Sequence, residues 1–202
     1  MALKNILITG VSGFLGKNLV EYFSTFNEVK LFGHSRTPHE TREKFKDHRI
    51  SVLDNYLSGQ QLDSLNIDCV IHLAGIAHDL SNQYTPEDYF KVNDQNTRNL
   101  YDAFLKSKAK RFIFLSSIKA AVDIASVPVT ETVTCKPVTP YGQSKRQAEI
   151  YVQSQPLPAG KKYYIMRPCM IHGPGNKGNL NLLYKFVKTG LPYPLGAFSN
   201  QR

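Results

Sequence analysis

Ile8-Thr9-Gly10-Val11-Ser12-Gly13-Phe14-Leu15-Gly16, the stretch ITGVSGFLG, decides the fold. A short apolar run, Asn5 to Thr9, leads into it and reads as a buried strand. Beyond it, Phe14, Leu15, Leu19, Val20 and Phe23 fall on one stripe of a helix. The three glycines therefore sit in a turn between the carboxyl end of a strand and the amino end of a helix. Glycine lets the backbone come close to a ligand there, while free amides and the positive end of the helix dipole favour an anion. The stretch is consistent with a seat for the pyrophosphate of a dinucleotide, with Gly10, Gly13, Phe14, Leu15 and Gly16 as lining residues. A turn this tight also asks for glycine on steric grounds alone.

Outward from that turn, β-type runs alternate with helical patterns. Val29 to Phe32, Ile50 to Leu53, Cys69 to Leu73, Phe112 to Leu115 and Tyr164 to Met166 all read as buried strands. The alternation predicts an α/β fold, a Rossmann-like doubly wound parallel sheet with helices on both faces. The stretch from Val122 to Pro140 holds three prolines and reads as an excursion over an active site, mobile without ligand.

A second constellation lies downstream in PYGQSK, Pro140 to Lys145. Thr139 could cap a helix that Pro140 begins, so Tyr141 and Lys145 would rise one turn apart on the same face. Tyr184 and Lys188 share the spacing, but only the first pair follows a strand whose end carries Ser116 and Ser117. A free tyrosine titrates near 10, and an ammonium about 4 Å away contributes roughly 4 kcal/mol at an effective dielectric near 20. Such a neighbour would bring Tyr141 toward neutrality as a general base. Ser117 could hold the same substrate oxygen, with Ser116 a structural or cofactor-side hydroxyl.

The second strand ends LFGHSR, Leu31 to Arg36, without the carboxylate that usually holds an adenosine ribose. His34, Ser35 and Arg36 could instead meet a 2′-phosphate, so NAD and NADP both stay open. Asp54, after the third strand, is a candidate for adenine contact or a turn residue.

These residues resemble the extended short-chain dehydrogenase/reductase family, in its NAD-dependent epimerase/dehydratase (nucleotide-sugar) branch. The matching pieces are ITGVSGFLG, HLAG at 72–75, VNDQNTRNL at 92–100, FLSSIKA at 114–120, PYGQSK and MRPCMIHGPG at 166–175. The resemblance implies catalytic places for Ser117, Tyr141 and Lys145. It implies that Leu73, Ala74 and Gly75 line the cofactor, that Arg167 and Pro168 lie near the nicotinamide, and that Asn93 braces the fourth helix. Asn179 becomes a candidate contact for the nucleotide of the substrate. The implied reaction is 4-epimerisation or 4-keto reduction of a UDP-sugar. Members of the family continue beyond the segment matching 191–202, so the resemblance divides the chain into a dinucleotide domain at 1–178 and, at 179–202, the start of a substrate region that is largely missing. A dinucleotide-binding module without turnover is the alternative.

Composition narrows the remaining classes. The 202 residues are 42% hydrophobic and 20% charged, enough to bury one sizeable core. The net charge of +9 comes from 25 basic residues against 16 acidic ones. They are scattered in small groups, and no nucleic-acid module accompanies them, so the expected anionic partner is a nucleotide sugar rather than DNA or RNA. Cys69, Cys135 and Cys169 are too far apart for a metal knuckle or a disulfide framework, so no metal is expected. No apolar stretch is long enough to span a bilayer. A cytoplasmic protein, with a homodimer as one option, is the expectation.

Overall fold

The computed structural model describes residues 4–54, 57–77, 83–125, 127–173, 175 and 179–190, with the backbone alone for 179–182. Six parallel strands form one sheet: β1 (Lys4–Thr9), β2 (Val29–His34), β3 (Ile50–Leu53), β4 (Cys69–His72), β5 (Arg111–Leu115) and β6 (Lys162–Met166). Their order is β3-β2-β1-β4-β5-β6, so the chain winds one way from β1 to β3, returns, and winds the other way from β4. The direction reverses between β1 and β4, where a crevice opens at the carboxyl ends of the strands. Register aligns Thr9 with both His34 and His72, and His72 with Phe114, so these four residues form a row along that edge.

Alternation along the strands sends side chains to two cores. Leu7, Phe32, Val70, Phe112 and Phe114 point to one face, joining residues of α3 (Gly59–Ser64), α5 (Asn96–Lys106) and α6 (Pro140–Ser154). Ile8, Leu31 and Ile71 point to the other, against Val20 of α1 (Phe14–Phe23) and Phe45 beside α2 (Pro38–Lys44). Both faces of the inner strands are covered, which is what a doubly wound sheet requires. β6 departs from the expectation of a buried strand. Tyr163 and Ile165 pack on the first core, whereas Tyr164 and Met166 face outward with 47% and 53% exposure. β6 is one edge of the sheet and β3 the other, where the expected burial is again partial: Ser51 is exposed and Ile50, Val52 and Leu53 are half-buried.

Between α4 (Pro86–Tyr89) and α5 the helix widens into a π-helical stretch, Phe90–Gln95, and a 3-10 turn, Ile118–Ala120, follows β5. α7 (Asn179–Lys188) is the last element of the described chain, with Tyr184 exposed. The excursion after Val122 is tied down rather than loose at its ends. The Asp123 carboxylate accepts hydrogen bonds from the amides of Val138 and Thr139 and from the Thr139 hydroxyl, and the Lys136 amide donates to Ala121 O. No described helix is long and apolar enough to cross a membrane.

Lys161 closes the end of α5. Its Nζ donates to Phe104 O at 2.9 Å and to Ser107 O and Ala109 O at 2.6 Å each, and it sits 4.4 Å from the centre of the Phe104 ring. A cation at a helix carboxyl end satisfies carbonyls that no intrahelical amide reaches. Lys161→Met is expected to lower the stability of the chain by about 1–3 kcal/mol in urea unfolding, since Ser107 O and Ala109 O lose this donor while Phe104 O keeps the Ser107 amide and hydroxyl.

Candidate active site

The crevice is built from the glycine turn upward. Gly10 has φ +70°, and a Cβ there would lie 2.7 Å from the amide nitrogen of Ala74, so only glycine allows the turn to touch the loop after β4. The Gly10 and Val11 amides donate to the carbonyl of His34, which ties the turn to β2 as well. Gly16 packs back on the turn, and the Phe14 ring reaches toward Gly173. No side chain caps the amino end of α1 and its first turn carries no acid. An uncapped helix end behind a glycine cradle at the sheet's point of reversal fits a dinucleotide pyrophosphate.

Leu73, Ala74 and Gly75 form the facing wall. The Leu73 amide donates to Thr9 O at 3.2 Å and the Ala74 amide to Thr9 Oγ1 at 3.3 Å. A Cβ on Gly75 would lie 2.8 Å from Asn93 Oδ1 and 3.1 Å from Lys145 Nζ, so this wall also touches the lysine of α6. The predicted dinucleotide seat and the predicted catalytic helix are therefore in contact.

α6 begins as the sequence predicts: Thr139 Oγ1 accepts from the Gly142 amide and Pro140 opens the first turn. Lys145 is 3% exposed, donates to Leu115 O at 3.0 Å and lies 4.9 Å from the centre of the Phe114 ring. Burial pushes its ammonium down to about 8, partly opposed by the Glu149 carboxylate. Tyr141 lies beside the Ser117 hydroxyl, and its ring meets Tyr89 edge-on at 6.3 Å. The electrostatic expectation is reversed here. Burial raises the Tyr141 phenol, the Ser117 hydroxyl opposes that, and Tyr89 reinforces it. Desolvation favours the neutral phenol, and the Lys145 ammonium is turned to a carbonyl and a ring face.

Ser116 is buried, its amide bonded to Met166 O at 2.8 Å and its hydroxyl beside Glu149 without full hydrogen-bond geometry. Arg167 spends its guanidinium on the fully buried Glu149, Nε to Oε1 at 2.8 Å and Nη2 to Oε2 at 2.6 Å, with Arg146 adding a bond at 3.1 Å. Burial alone would raise the Glu149 carboxyl, but these partners hold it below its ordinary value. Arg167 thus joins β6 to α6, and the Pro168 carbonyl accepts from Ile118 beside Ser117.

The outer end of the crevice is less committed. His34 has its imidazole lowered by burial, Ser35 bonds Thr41 at 2.7 Å, and Arg36 is exposed. Asp54 is paired with Arg42 at 2.5 Å. Asn179 opens α7, and its side chain lies outside the described residues. Among the described residues no cluster of His, Cys, Asp and Glu could hold a metal ion.

The sequence reading misses a buried relay behind this wall. His72 Nδ1 lies 2.6 Å from Thr9 Oγ1 and Nε2 lies 2.9 Å from Thr97 Oγ1. Asn93 ties its helical stretch to the loop after β4 and to α6. It sits in the π-helical stretch, bonds both backbone groups of Ile76, and donates to Ser144 Oγ on α6. HLAG and VNDQNT were visible motifs, but the widened helix that turns Asn93 inward has no sequence signature of its own.

The sequence profile of the NAD dependent epimerase/dehydratase family matches residues 6–191. The chain belongs to this family. Family relatives include a UDP-glucose 4-epimerase of Vibrio cholerae, 29% identical over 98% of this chain and 61% of its own length. Another is the N-acetyl-alpha-D-glucosaminyl-diphospho-ditrans,octacis-undecaprenol 4-epimerase of Escherichia coli O157:H7, 31% identical over 98% of this chain and 58% of its own. The fold is shared with Bordetella bronchiseptica WbmG, solved with NAD and UDP, at a TM-score of 0.76 and 24% identity over 94% of this chain and 61% of that one. The chain thus spans about three fifths of the length of the epimerase/dehydratase relatives it matches.

A titration follows from His72, which burial, then Lys145 and His34, push down to about 3. The unfolded chain takes up a proton near 6.5 while the folded imidazole stays neutral, so stability falls as pH drops from about 6.5 toward 3. His34 acts in the same sense. Urea midpoints measured between pH 6.5 and 5 are expected to decline in the parent and to decline less in His72→Gln.

Proposed function

We propose that this chain carries the dinucleotide-binding and proton-transfer half of a nucleotide-sugar 4-epimerase or 4-keto reductase, acting on a UDP-sugar with NAD or NADP. The observation that carries the reading is the Tyr141 phenol, beside Ser117, on the helix whose Lys145 touches the wall of the dinucleotide crevice at Gly75. Residues 1–178 hold the dinucleotide on this reading. The region from Asn179 onward begins the substrate side, with Asn179 contacting the nucleotide.

Tyr141, once ionised, accepts the proton of the sugar hydroxyl. Ser117 donates to the same oxygen and fixes its lone pairs, while Lys145 supplies a fixed positive charge near the phenolate. The carbon-bound hydrogen leaves with its electron pair as the carbonyl forms, which gives a keto sugar. The nicotinamide, when bound, supplies the hydride acceptor and later the donor. Delivery to the opposite face of the keto sugar yields the 4-epimer, and delivery to a keto sugar supplied from outside is simple reduction. The relatives named above as 4-epimerases support this substrate class.

At the ribose end, the β2 edge offers no carboxylate and an exposed Arg36, which suits a 2′-phosphate and keeps NADP beside NAD. A second copy of the chain as partner has a candidate contact in the groove of Arg98, Gln147 and Tyr151 between α5 and α6, where Ile150 is 49% exposed.

The second reading, a dinucleotide-binding module without turnover, draws on the Tyr141 phenol, which burial holds in its neutral form. Turnover of UDP-sugars with each dinucleotide separates the two. Tyr141→Phe is expected to cut kcat by about a hundredfold or more while leaving dinucleotide affinity near the parent's. Equal turnover in parent and variant would overturn the catalytic role, and tight dinucleotide binding with no turnover in the parent would favour the module.

A further inference from the structure

We infer that His72 is a positioning residue, whose imidazole, tied to Thr9 on one side and Thr97 on the other, sets the Leu73–Gly75 wall against both the dinucleotide seat and Lys145. The inference rests on the functional reading above, since it assigns the wall to dinucleotide binding.

The direction of the hydrogen bonds fixes the tautomer. Thr97 Oγ1 donates to Asn93 O at 2.7 Å, so toward His72 it acts as an acceptor, and Nε2 carries the proton. Nδ1 is then bare and accepts from Thr9 Oγ1, which in turn accepts from the Ala74 amide. The bonds run head to tail from Ala74 N through Thr9, His72 and Thr97 to the Asn93 carbonyl, an arrangement in which each bond polarises the next. His72 is 2% exposed, and Thr97 is fully buried, so water cannot replace a missing member.

The relay reaches the proton-transfer machinery by two routes. The imidazole stacks on Phe114 at 5.7 Å and 21°, and Phe114 is the ring over which the Lys145 ammonium lies. Asn93 continues to Ser144, whose hydroxyl donates to the Tyr141 carbonyl. A shift of His72 moves the Ala74 amide through Thr9, and Gly75 stands within contact of both Asn93 and Lys145. The first strand, the wall and α6 therefore share one buried hydrogen-bonded spine.

The test measures dinucleotide affinity, with NAD and NADP as probes, beside melting temperature. His72→Phe keeps a ring on Phe114 and removes both hydrogen bonds; His72→Gln keeps a donor and an acceptor. Thr97→Val and Thr97→Ser remove and retain the hydroxyl that receives Nε2. His72→Phe and Thr97→Val are expected to weaken affinity about tenfold, the size of one lost buried hydrogen bond, with the double variant no weaker than His72→Phe alone. His72→Gln and Thr97→Ser are expected to restore most of the affinity, a rescue that a simple loss of stability would not give. If His72→Phe does not fold, the Thr97 pair decides the matter. Folded His72→Phe or Thr97→Val within about twofold of the parent, or fully additive effects, would overturn the inference. A parent that binds neither dinucleotide overturns the functional reading itself and this inference with it.

Discussion

An ammonium group sealed into the carboxyl edge of the sheet is the constraint around which the crevice is arranged. Lys145 is almost wholly buried, and burial of a cation without compensation is costly. Its pKa falls to about 8, so it remains largely charged at neutral pH. What keeps it so is local: the Leu115 carbonyl accepts its hydrogen bond, Glu149 raises its pKa, and the Phe114 ring lies beneath it. A Cβ on Gly75 would press on Asn93 Oδ1 first and on this ammonium next. Glu149 is in turn held by Arg167 and Arg146, so β6 and the far side of α6 contribute to a charge they do not touch.

The same dry environment acts on Tyr141 in the opposite sense, because burial disfavours a phenolate as it disfavours an ammonium. In this crevice the phenol stays neutral despite the Ser117 hydroxyl. The base proposed for the reaction is therefore weak until further positive charge arrives, and an oxidised nicotinamide would carry that charge. Binding and activation are coupled on this account: the site makes its base when the hydride acceptor is in place.

The inner strands are legible because their runs of Val, Ile, Leu and Phe are covered on both faces, and β3 begins and ends where its apolar run does. That β3 and β6 are only half covered is not legible, since a sequence does not say which strands lie at the edges. In the site, Tyr141, Lys145 and the Thr139 cap could be read from spacing, for helical periodicity brings residues four apart together. The sign of the phenol's shift could not, because it depends on how deeply the completed fold desolvates it. Arg167 was assigned to the cofactor by resemblance, while its partner Glu149 lies on another element and no local pattern links them. His72 and Thr97 escaped notice because their meeting depends on a widened helix and a strand from distant parts of the chain.

The central claim, that this crevice withholds an ionised tyrosine until the oxidised dinucleotide is bound, is tested most directly by titrating tyrosinate absorbance in the parent minus Tyr141→Phe. The account expects the difference signal to rise above the ordinary tyrosine value of about 10 in the free protein and well below it with saturating oxidised dinucleotide. The same midpoint in both conditions would contradict it.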